Sequence, residues 1–152
     1  MIVRSATKDD LPDYIVMGRK FHESCPLHST VAFDDEGFSE FYLAALENEN
    51  LQFWIAEQDG QPIGICGAVA YGMYFNPAKT IVQELWWWIT PEARGNGVGN
   101  LMFDAIENWS KEIDASALFM IALENSDVDQ VSRIYARKGF SPMERTFFRE
   151  VV

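Results

Sequence analysis

An apolar strand pattern gives way to a helix pattern across the stretch Trp88-Ile89-Thr90-Pro91-Glu92-Ala93-Arg94-Gly95-Asn96-Gly97-Val98-Gly99-Asn100-Leu101. Three glycines stand at alternate positions just before the helix begins. Such a loop can aim successive main-chain N–H groups at one point, and the helix N-terminus adds about half a positive charge. Arg94 supplies a charged donor beside it. The stretch therefore predicts an anion site, most naturally for a pyrophosphate.

Two familiar phosphate loops do not fit this spacing. A Walker loop requires Gly-Lys-Ser/Thr, which is absent from the stretch. A dinucleotide fingerprint requires Gly-x-Gly-x-x-Gly directly after the strand, whereas here the glycines are Gly95, Gly97 and Gly99 and several residues follow Ile89 first. The alternative to an anion site is a flexible turn followed by a helix cap.

Outward from the loop, apolar spacing predicts a complete α/β architecture. Strands follow period-two or continuous apolar patterns, and helices follow spacings of three and four. The predicted strands are 2–6, 52–57, 61–74, 80–89, 117–123 and 146–152, and the predicted helices are one ending near Glu23, one over 34–49, and two containing 101–109 and 128–135. The order β-α-α-β-β-β-α-β-α-β indicates a mixed sheet with helices on both faces. No linker or repeat interrupts it, so we expect a single domain over residues 1–152.

Charge is unevenly distributed along the 152 residues. Twelve Lys and Arg against 23 Asp and Glu give a net charge of −11. Residues 1–60 hold 4 basic and 12 acidic side chains, so the front of the protein is the acidic part. A cleft there would attract cations, although a merely solvated acidic surface explains the same pattern. No nucleic-acid partner is expected, because such binding relies on clustered Lys and Arg.

The cysteine spacing and the lack of long apolar segments predict a cytoplasmic protein without a metal site. Cys25 and Cys66 do not form a Cys-x-x-Cys pair, so no zinc or redox site is indicated. The N-terminal residues lack the apolar stretch of a signal peptide, and no segment approaches the roughly 20 apolar residues of a membrane span. We therefore expect no membrane partner.

Two motifs in order resemble the GNAT superfamily of N-acetyltransferases. Arg94-x-x-Gly97-x-Gly99 resembles its acyl-CoA motif, Arg/Gln-x-x-Gly-x-Gly/Ala. Downstream, Ile134-Tyr135-Ala136-Arg137-Lys138-Gly139-Phe140 resembles its Leu-Tyr-x-x-x-Gly-Phe helix ending. The separation of the motifs and the order of elements also agree, so the resemblance covers nearly the whole chain.

The resemblance implies a site for acetyl-CoA as cosubstrate. The CoA pyrophosphate would bind the main-chain amides of the loop, namely Gly95, Asn96, Gly97, Val98, Gly99 and Asn100, with Arg94 beside them. The pantetheine arm would run along Trp87, Trp88 and Ile89, where this strand and the next splay apart. One departure is Val128, where many members carry an Asn that contacts CoA; Asn125 and Ser126 lie nearby.

The reaction implied is direct acyl transfer to an amine, so neither cysteine is required as a nucleophile. Tyr135 matches the family tyrosine that commonly serves as general acid. Glu84 is the leading general base, because it is a lone acid in an apolar strand. Period-two alternation puts it on one face with Trp86 and Trp88, where its pKa should be raised. Glu124 is the rival base, and a chain of waters is a third route.

The acceptor is predicted only by class. The acidic first part of the chain suggests a cationic small molecule or peptide with a primary amine, and Trp86 or Trp88 could line its pocket. His22, His28 and the acidic run 34–36 lie where the family builds its acceptor site, although each is ordinary on a surface. A homodimer is possible. The alternatives are a non-catalytic acyl-CoA-binding module on the same fold and, against the net charge, an enzyme that modifies nucleic acid.

Overall fold

The computed structural model describes residues 1–125 and 127–151. Nine helices and strands of regular length follow one another along these residues. In chain order they are β1 (Ile2–Ser5), α1 (Leu11–Ser24), α2 (Asp35–Leu46), β2 (Leu51–Gln58), β3 (Gln61–Met73), β4 (Asn76–Ile89), α3 (Val98–Glu112), β5 (Ala117–Phe119) and α4 (Val128–Arg137). Short 3₁₀ turns occupy Lys8–Asp10, Pro26–Ser29 and Pro91–Ala93.

The strands form one mixed sheet in the order β1-β2-β3-β4-β5. The first four are antiparallel neighbours, and β5 pairs in parallel with β4 after the α3 crossover. A parallel neighbour requires such a crossover. Short turns join β2 to β3 and β3 to β4, whereas α1 and α2 lie between β1 and β2. The predicted fold class, a mixed sheet flanked by helices, is confirmed.

Each face of the sheet carries its own apolar core. On one face, Tyr14 and Met17 of α1 and Tyr42 and Ala45 of α2 pack on Phe53, Ile55 and Ile65 of the sheet. On the other face, Val98, Met102 and Ile106 of α3 pack on Trp54, Cys66, Ala68 and Val82. The spacing of four between these α3 residues is the buried stripe that its amphipathic pattern predicts.

Two buried tyrosines attach the helical layer to the sheet. The Tyr14 hydroxyl lies 2.5 Å from the Trp54 carbonyl oxygen and 3.1 Å from that of Cys66. The Tyr42 hydroxyl donates to the Thr7 carbonyl at 2.7 Å. Each phenol therefore buries its ring in the core and satisfies its polar end on the main chain.

The C-terminal segment departs from the prediction. Residues 146–151 form no strand, and Val152 lies outside the described residues. Phe147 and Val151 are 84 % and 92 % exposed, so the apolar side chains that predicted a strand do not cover a core. The pattern alone was insufficient, because a strand also needs a partner edge for its main-chain groups.

None of the described helices is long and apolar enough to cross a membrane.

Candidate functional site

A cleft of about 770 Å³ opens where β4 and β5 diverge. The second half of β4 forms its floor, and the glycine loop before α3 forms one end. The C-terminal end of α1, the segment after β5 and one side of α4 complete the walls. This volume lies within the range of small-molecule and cofactor sites, roughly 300–1,000 Å³.

The divergence begins at Glu84. The β4–β5 ladder pairs Ile81 with Ala117 and ends where Gln83 pairs with Phe119. At the next position the Glu84 carboxylate accepts the Ile121 N–H at 2.9 Å through Oε2, in place of a main-chain oxygen. The prediction of a strand over 117–123 is therefore too long: beyond Phe119 the segment leaves the ladder, and this carboxylate holds it at the fork.

A β-bulge changes the face on which Glu84 lies. Gly67 pairs with Trp86 and Ala68 pairs with Glu84, so Leu85 is an extra residue on β4. Glu84 shares the α3 face with its partner Ala68, whereas Leu85, Trp86 and Trp88 pack on the α1/α2 face. The prediction that the Glu84 side chain lies on the same face of β4 as Trp86 and Trp88 is thus wrong. An unbroken period of two fails at a bulge, where two successive side chains turn to the same side.

The Glu84 carboxyl group is almost completely buried, at 3 % exposure. Burial raises its pKa from 4.5 to about 7, and the hydrogen bond from the Ile121 N–H opposes part of that shift. The predicted direction is therefore correct, but the surroundings are Cys66 and Tyr135 rather than two indole rings. A carboxyl group with a pKa near neutrality can exchange a proton at physiological pH.

Tyr135 of α4 contacts the same residue, Ile121. Its hydroxyl donates to the Ile121 carbonyl at 3.0 Å, and its ring stacks on Trp87 with centroids 6.1 Å apart. Burial, and after it the Glu84 charge, raises the pKa of this phenol, which therefore stays protonated at neutral pH. The two predicted catalytic residues are thus brought together, with Glu84 on the N–H and Tyr135 on the C=O of Ile121.

The glycine loop is shaped by left-handed main-chain conformations. Gly95 has φ of 82° and Gly97 has φ of 95°, and an added Cβ at either would meet nothing within 4 Å. The Asn96 side-chain oxygen accepts the Val98 N–H at 3.2 Å, and the Val98 side chain is fully buried. Glycine is required here for conformation, because other residues reach positive φ at a cost of about 1–2 kcal/mol.

Gly99 serves a different purpose in the same loop. Its φ is unremarkable, but a Cβ there would lie 3.1 Å from the Trp87 ring and 3.4 Å from Ile89. The first turn of α3 therefore approaches the end of β4 closely. Asn100 follows on this turn and lines the cleft.

Arg94 is already engaged by its neighbours. Its Nε donates to the Ile89 carbonyl at 3.1 Å, its guanidinium lies 4.9 Å from the Trp88 ring centre, and Nη1 lies 3.8 Å from Asp127. Trp88 is thus covered on one face by this cation. The contacts hold Arg94 at the mouth of the loop, between β4 and the start of α4.

The rival base Glu124 is poorly placed for chemistry. It is paired with Arg145 at 2.8 Å, both side chains are largely exposed, and Glu124 does not line the cleft. Asn125 does line the cleft, but its amide donates to the Ser24 carbonyl at 3.3 Å and its oxygen accepts the Asp127 N–H at 3.0 Å. It therefore connects the loop before α4 to the end of α1. Ser126 lies outside the described residues.

The remaining candidates lie apart from the fork. His22 donates through Nε2 to the Val31 carbonyl, His28 donates through Nδ1 to the Cys25 carbonyl, and neither lines the cleft. Trp86 packs among the rings of Phe38, Phe41 and Phe53. The indole N–H groups of Trp86 and Trp87 are buried without a partner in the part of the chain that the structure describes, and nothing there explains them.

Some cleft residues gave no signal in the sequence. Ile121 acts through its main chain, so its side chain carries no pattern. Phe21, Ser24 and Cys25 reach the cleft because α1 ends beside β4. Both cysteines are free thiols, and the described residues hold no cluster of three His, Cys, Asp or Glu side chains suited to a metal.

Solved structures with the same fold include several acetyltransferases. The aminoglycoside 6'-N-acetyltransferase AAC(6')-IG from Acinetobacter haemolyticus is 16 % identical over 100 % of this chain and 99 % of its own, with a TM-score of 0.77. AAC(6')-Iy, solved with a bisubstrate analogue of CoA, is 18 % identical over 99 % and 97 %, with a TM-score of 0.79. A predicted acetyltransferase from Clostridium acetobutylicum, solved with acetyl-CoA, is 20 % identical over 97 % and 94 %, with a TM-score of 0.76.

The sequence comparisons give a family but no curated relative. No curated protein sequence matches the chain significantly. The sequence model of the acetyltransferase (GNAT) family, by contrast, matches residues 17–140. That match spans most of the chain and includes every residue that lines the cleft. The chain therefore belongs to the GNAT family of acetyltransferases.

Proposed function

We propose that this protein transfers the acetyl group of acetyl-CoA to a primary amine of a cationic small molecule or peptide, by direct attack within a ternary complex. The observation that carries the proposal is the pair of protonatable groups at the fork. Glu84 accepts the Ile121 N–H and Tyr135 donates to the Ile121 carbonyl, on the floor of a cleft that ends in a glycine loop.

The groups lining the cleft fit the chemistry of acetyl-CoA. At the loop, the main-chain N–H groups of Gly95, Asn96, Gly97 and Gly99 suit a pyrophosphate, since a helix N-terminus favours negative charge. The N–H groups of Val98 and Asn100 already donate to Asn96 Oδ1 and the Gly97 carbonyl. Along the floor, Trp87, Trp88 and Ile89 lie on the β4 edge that β5 leaves unpaired. Main-chain N–H and C=O groups on an open strand edge suit the amides of a pantetheine arm.

The proton transfers are assigned to the two groups at the fork. Bound acetyl-CoA supplies an acyl group activated as a thioester. Glu84, with a pKa of about 7, accepts a proton from the incoming ammonium group, directly or through water. The neutral amine would then form the C–N bond as the C–S bond to CoA breaks. Tyr135 keeps its proton at neutral pH and would donate it to the departing thiolate, after its hydroxyl turns away from the Ile121 carbonyl. The second proton on the attacking nitrogen would return to the Tyr135 oxygen, directly or through water. Burial at the fork strengthens both roles by excluding bulk water.

The acceptor class follows from charge. The net charge of −11 and the 12 acidic residues among the first 60 favour a cationic acceptor over an anionic one. Two proteins of the same fold are named as aminoglycoside N-acetyltransferases, which puts aminoglycosides on the list of amines to test. Polyamines, amino-acid derivatives and peptide N-termini complete that list.

The test is turnover of acetyl-CoA against this panel, measured as released CoA thiol. We expect one amine class to be acetylated, with kcat rising with pH through about 7 as Glu84 loses its proton. Glu84→Gln should abolish that rise and lower kcat by about 10²–10⁴-fold. Glu124→Gln is the matched control, because Glu124 is an exposed acid paired with Arg145, and its activity should be unchanged.

The opposite results would count against specific parts of the proposal. Loss of activity in Glu124→Gln with a normal Glu84→Gln enzyme would assign the base to Glu124. Tight acetyl-CoA binding with no turnover of any amine would favour a non-catalytic acyl-CoA-binding module on this fold.

A further inference from the structure

Two cations on α4 line the outer end of the cleft without a role in the reaction. Arg137 is the last residue of α4 and Lys138 follows it as the C-cap; both line the cleft, which Asn100 lines on the α3 side. Within the described ranges, Arg137 forms no ion pair with an acid, and its Nε donates only to the Arg133 carbonyl at 3.3 Å. In a chain where acids outnumber bases 23 to 12, an unpaired cation beside a cleft is conspicuous.

Lys138 is held against α3 just below the loop. Its Nζ lies 4.4 Å from the Phe103 ring centre and 3.4 Å from Asp104 Oδ1. Asp104 is four residues beyond Asn100, which is about 6 Å along the helix axis. The ammonium group therefore lies within side-chain reach of an anion seated beside the first turn of α3.

The loop and these two cations can bind different phosphates. The N–H groups before α3, with Arg94 beside them, suffice for a pyrophosphate. Acetyl-CoA carries a further phosphate on the 3′ oxygen of its ribose, which adds nearly two negative charges at neutral pH. Asp104 presents only one charge and is partly exposed, so a phosphate would compete well for Lys138.

We propose that Arg137 and Lys138 form a subsite for the ribose 3′-phosphate and select acetyl-CoA over its 3′-dephospho form. This rests on the proposed function, because it requires the cofactor to lie in the cleft with its pyrophosphate at the loop. The two side chains supply the donors: a guanidinium fork that can bind a phosphate through two N–H groups and an ammonium group as a point charge.

The test compares binding of CoA and 3′-dephospho-CoA by calorimetry, without any turnover. We expect wild type to prefer CoA by about tenfold or more, as for the loss of hydrogen bonds between charged groups. The double variant Arg137→Gln, Lys138→Met keeps both side-chain stems and should bind the two ligands about equally. Arg133→Ala is the matched control, because Arg133 lies one turn earlier on α4 and does not line the cleft. It should keep the preference.

The outcomes separate this subsite from the proposed function. Equal binding of both ligands by wild type, or an unchanged preference in the folded double variant, would overturn the subsite while leaving CoA binding intact. Loss of the preference in Arg133→Ala alone would also overturn it. Failure of wild type to bind either ligand would overturn the proposed function and the subsite with it.

Discussion

The two ends of the cleft differ in the kind of chemical group that they present. At the loop, Gly95 and Gly97 hold the main chain in conformations of positive φ, and most of the loop is exposed. At the fork, the groups are side chains that the fold has buried, Glu84 at 3 % and Tyr135 at 7 % exposure. Main-chain donors anchor an anion without any change of protonation, whereas burial is what moves a pKa into a useful range. Anchoring and chemistry thus depend on different physical properties, and variants at the two ends should fail differently.

Tyr135→Phe should have the largest effect, and only on chemistry. It removes the hydroxyl that we assign to protonation of the thiolate, so kcat should fall by about 10²–10⁴-fold while acetyl-CoA binding is nearly unchanged. Steady-state kinetics and calorimetry together measure this.

Tyr42→Phe is the matched control for that variant. Tyr42 is also a buried phenol that donates to a main-chain carbonyl, but on the α1/α2 face. It should lose about 1 kcal/mol of stability and no activity. Equal loss of kcat in both variants would mean that Tyr135 is only structural.

Glu84→Gln should change how stability depends on pH. The folded pKa of Glu84 is about 7 and its ordinary value is 4.5, so the folded state holds this proton more tightly. The contribution is fully present below about pH 4.5 and is lost as pH rises through about 7. Relative to Glu84→Gln, wild type should therefore lose about 3 kcal/mol of unfolding free energy between pH 4.5 and pH 8.

Denaturant unfolding of both proteins across that pH range measures the difference. Glu124→Gln should give a flat difference, since the Glu124 carboxylate is exposed and not at the fork. A flat difference for Glu84→Gln as well would contradict the buried position of this acid.

Gly97→Ala should have the smallest effect, and mainly on binding. Alanine at a φ of 95° costs about 1–2 kcal/mol and disturbs the loop, so we expect acetyl-CoA affinity to fall about tenfold. Gly60→Ala provides the comparison, because Gly60 also has positive φ, 77°, and open space, but lies in the β2–β3 turn. It should lose similar stability and bind acetyl-CoA normally. Weaker binding in both variants would show that the loss reflects general instability.

The sequence predicted those parts of the molecule that depend on local spacing. The glycine loop, the turn after Tyr135 and the helix and strand order from β1 to α4 all follow from local residue patterns. The direction of the Glu84 pKa shift was also predicted, although the Trp86 and Trp88 rings on which that prediction relied lie on the other face. The face of Glu84 was not predicted, because the bulge at Leu85 depends on how β3 pairs with β4.

Other features depend on contacts between distant residues. The length of β5 is limited by Glu84, which takes the Ile121 N–H from 37 residues away. The segment 146–151 has an apolar strand pattern, but it lacks a paired edge. Arg94 was expected beside the anion site, and its contact with Asp127 at the start of α4 was not predicted. Periodicity in one sequence contains no information on such partners.

A crystal structure of the protein with CoA would test the central claim most directly, namely that the cleft between β4 and β5 binds the cofactor. We predict that the pyrophosphate contacts the N–H groups of Gly97 and Gly99 and that the pantetheine arm follows Trp87 to Ile89. The CoA sulfur should then lie within hydrogen-bond reach of the Tyr135 hydroxyl. CoA bound elsewhere, or with its sulfur far from Tyr135, would contradict the account.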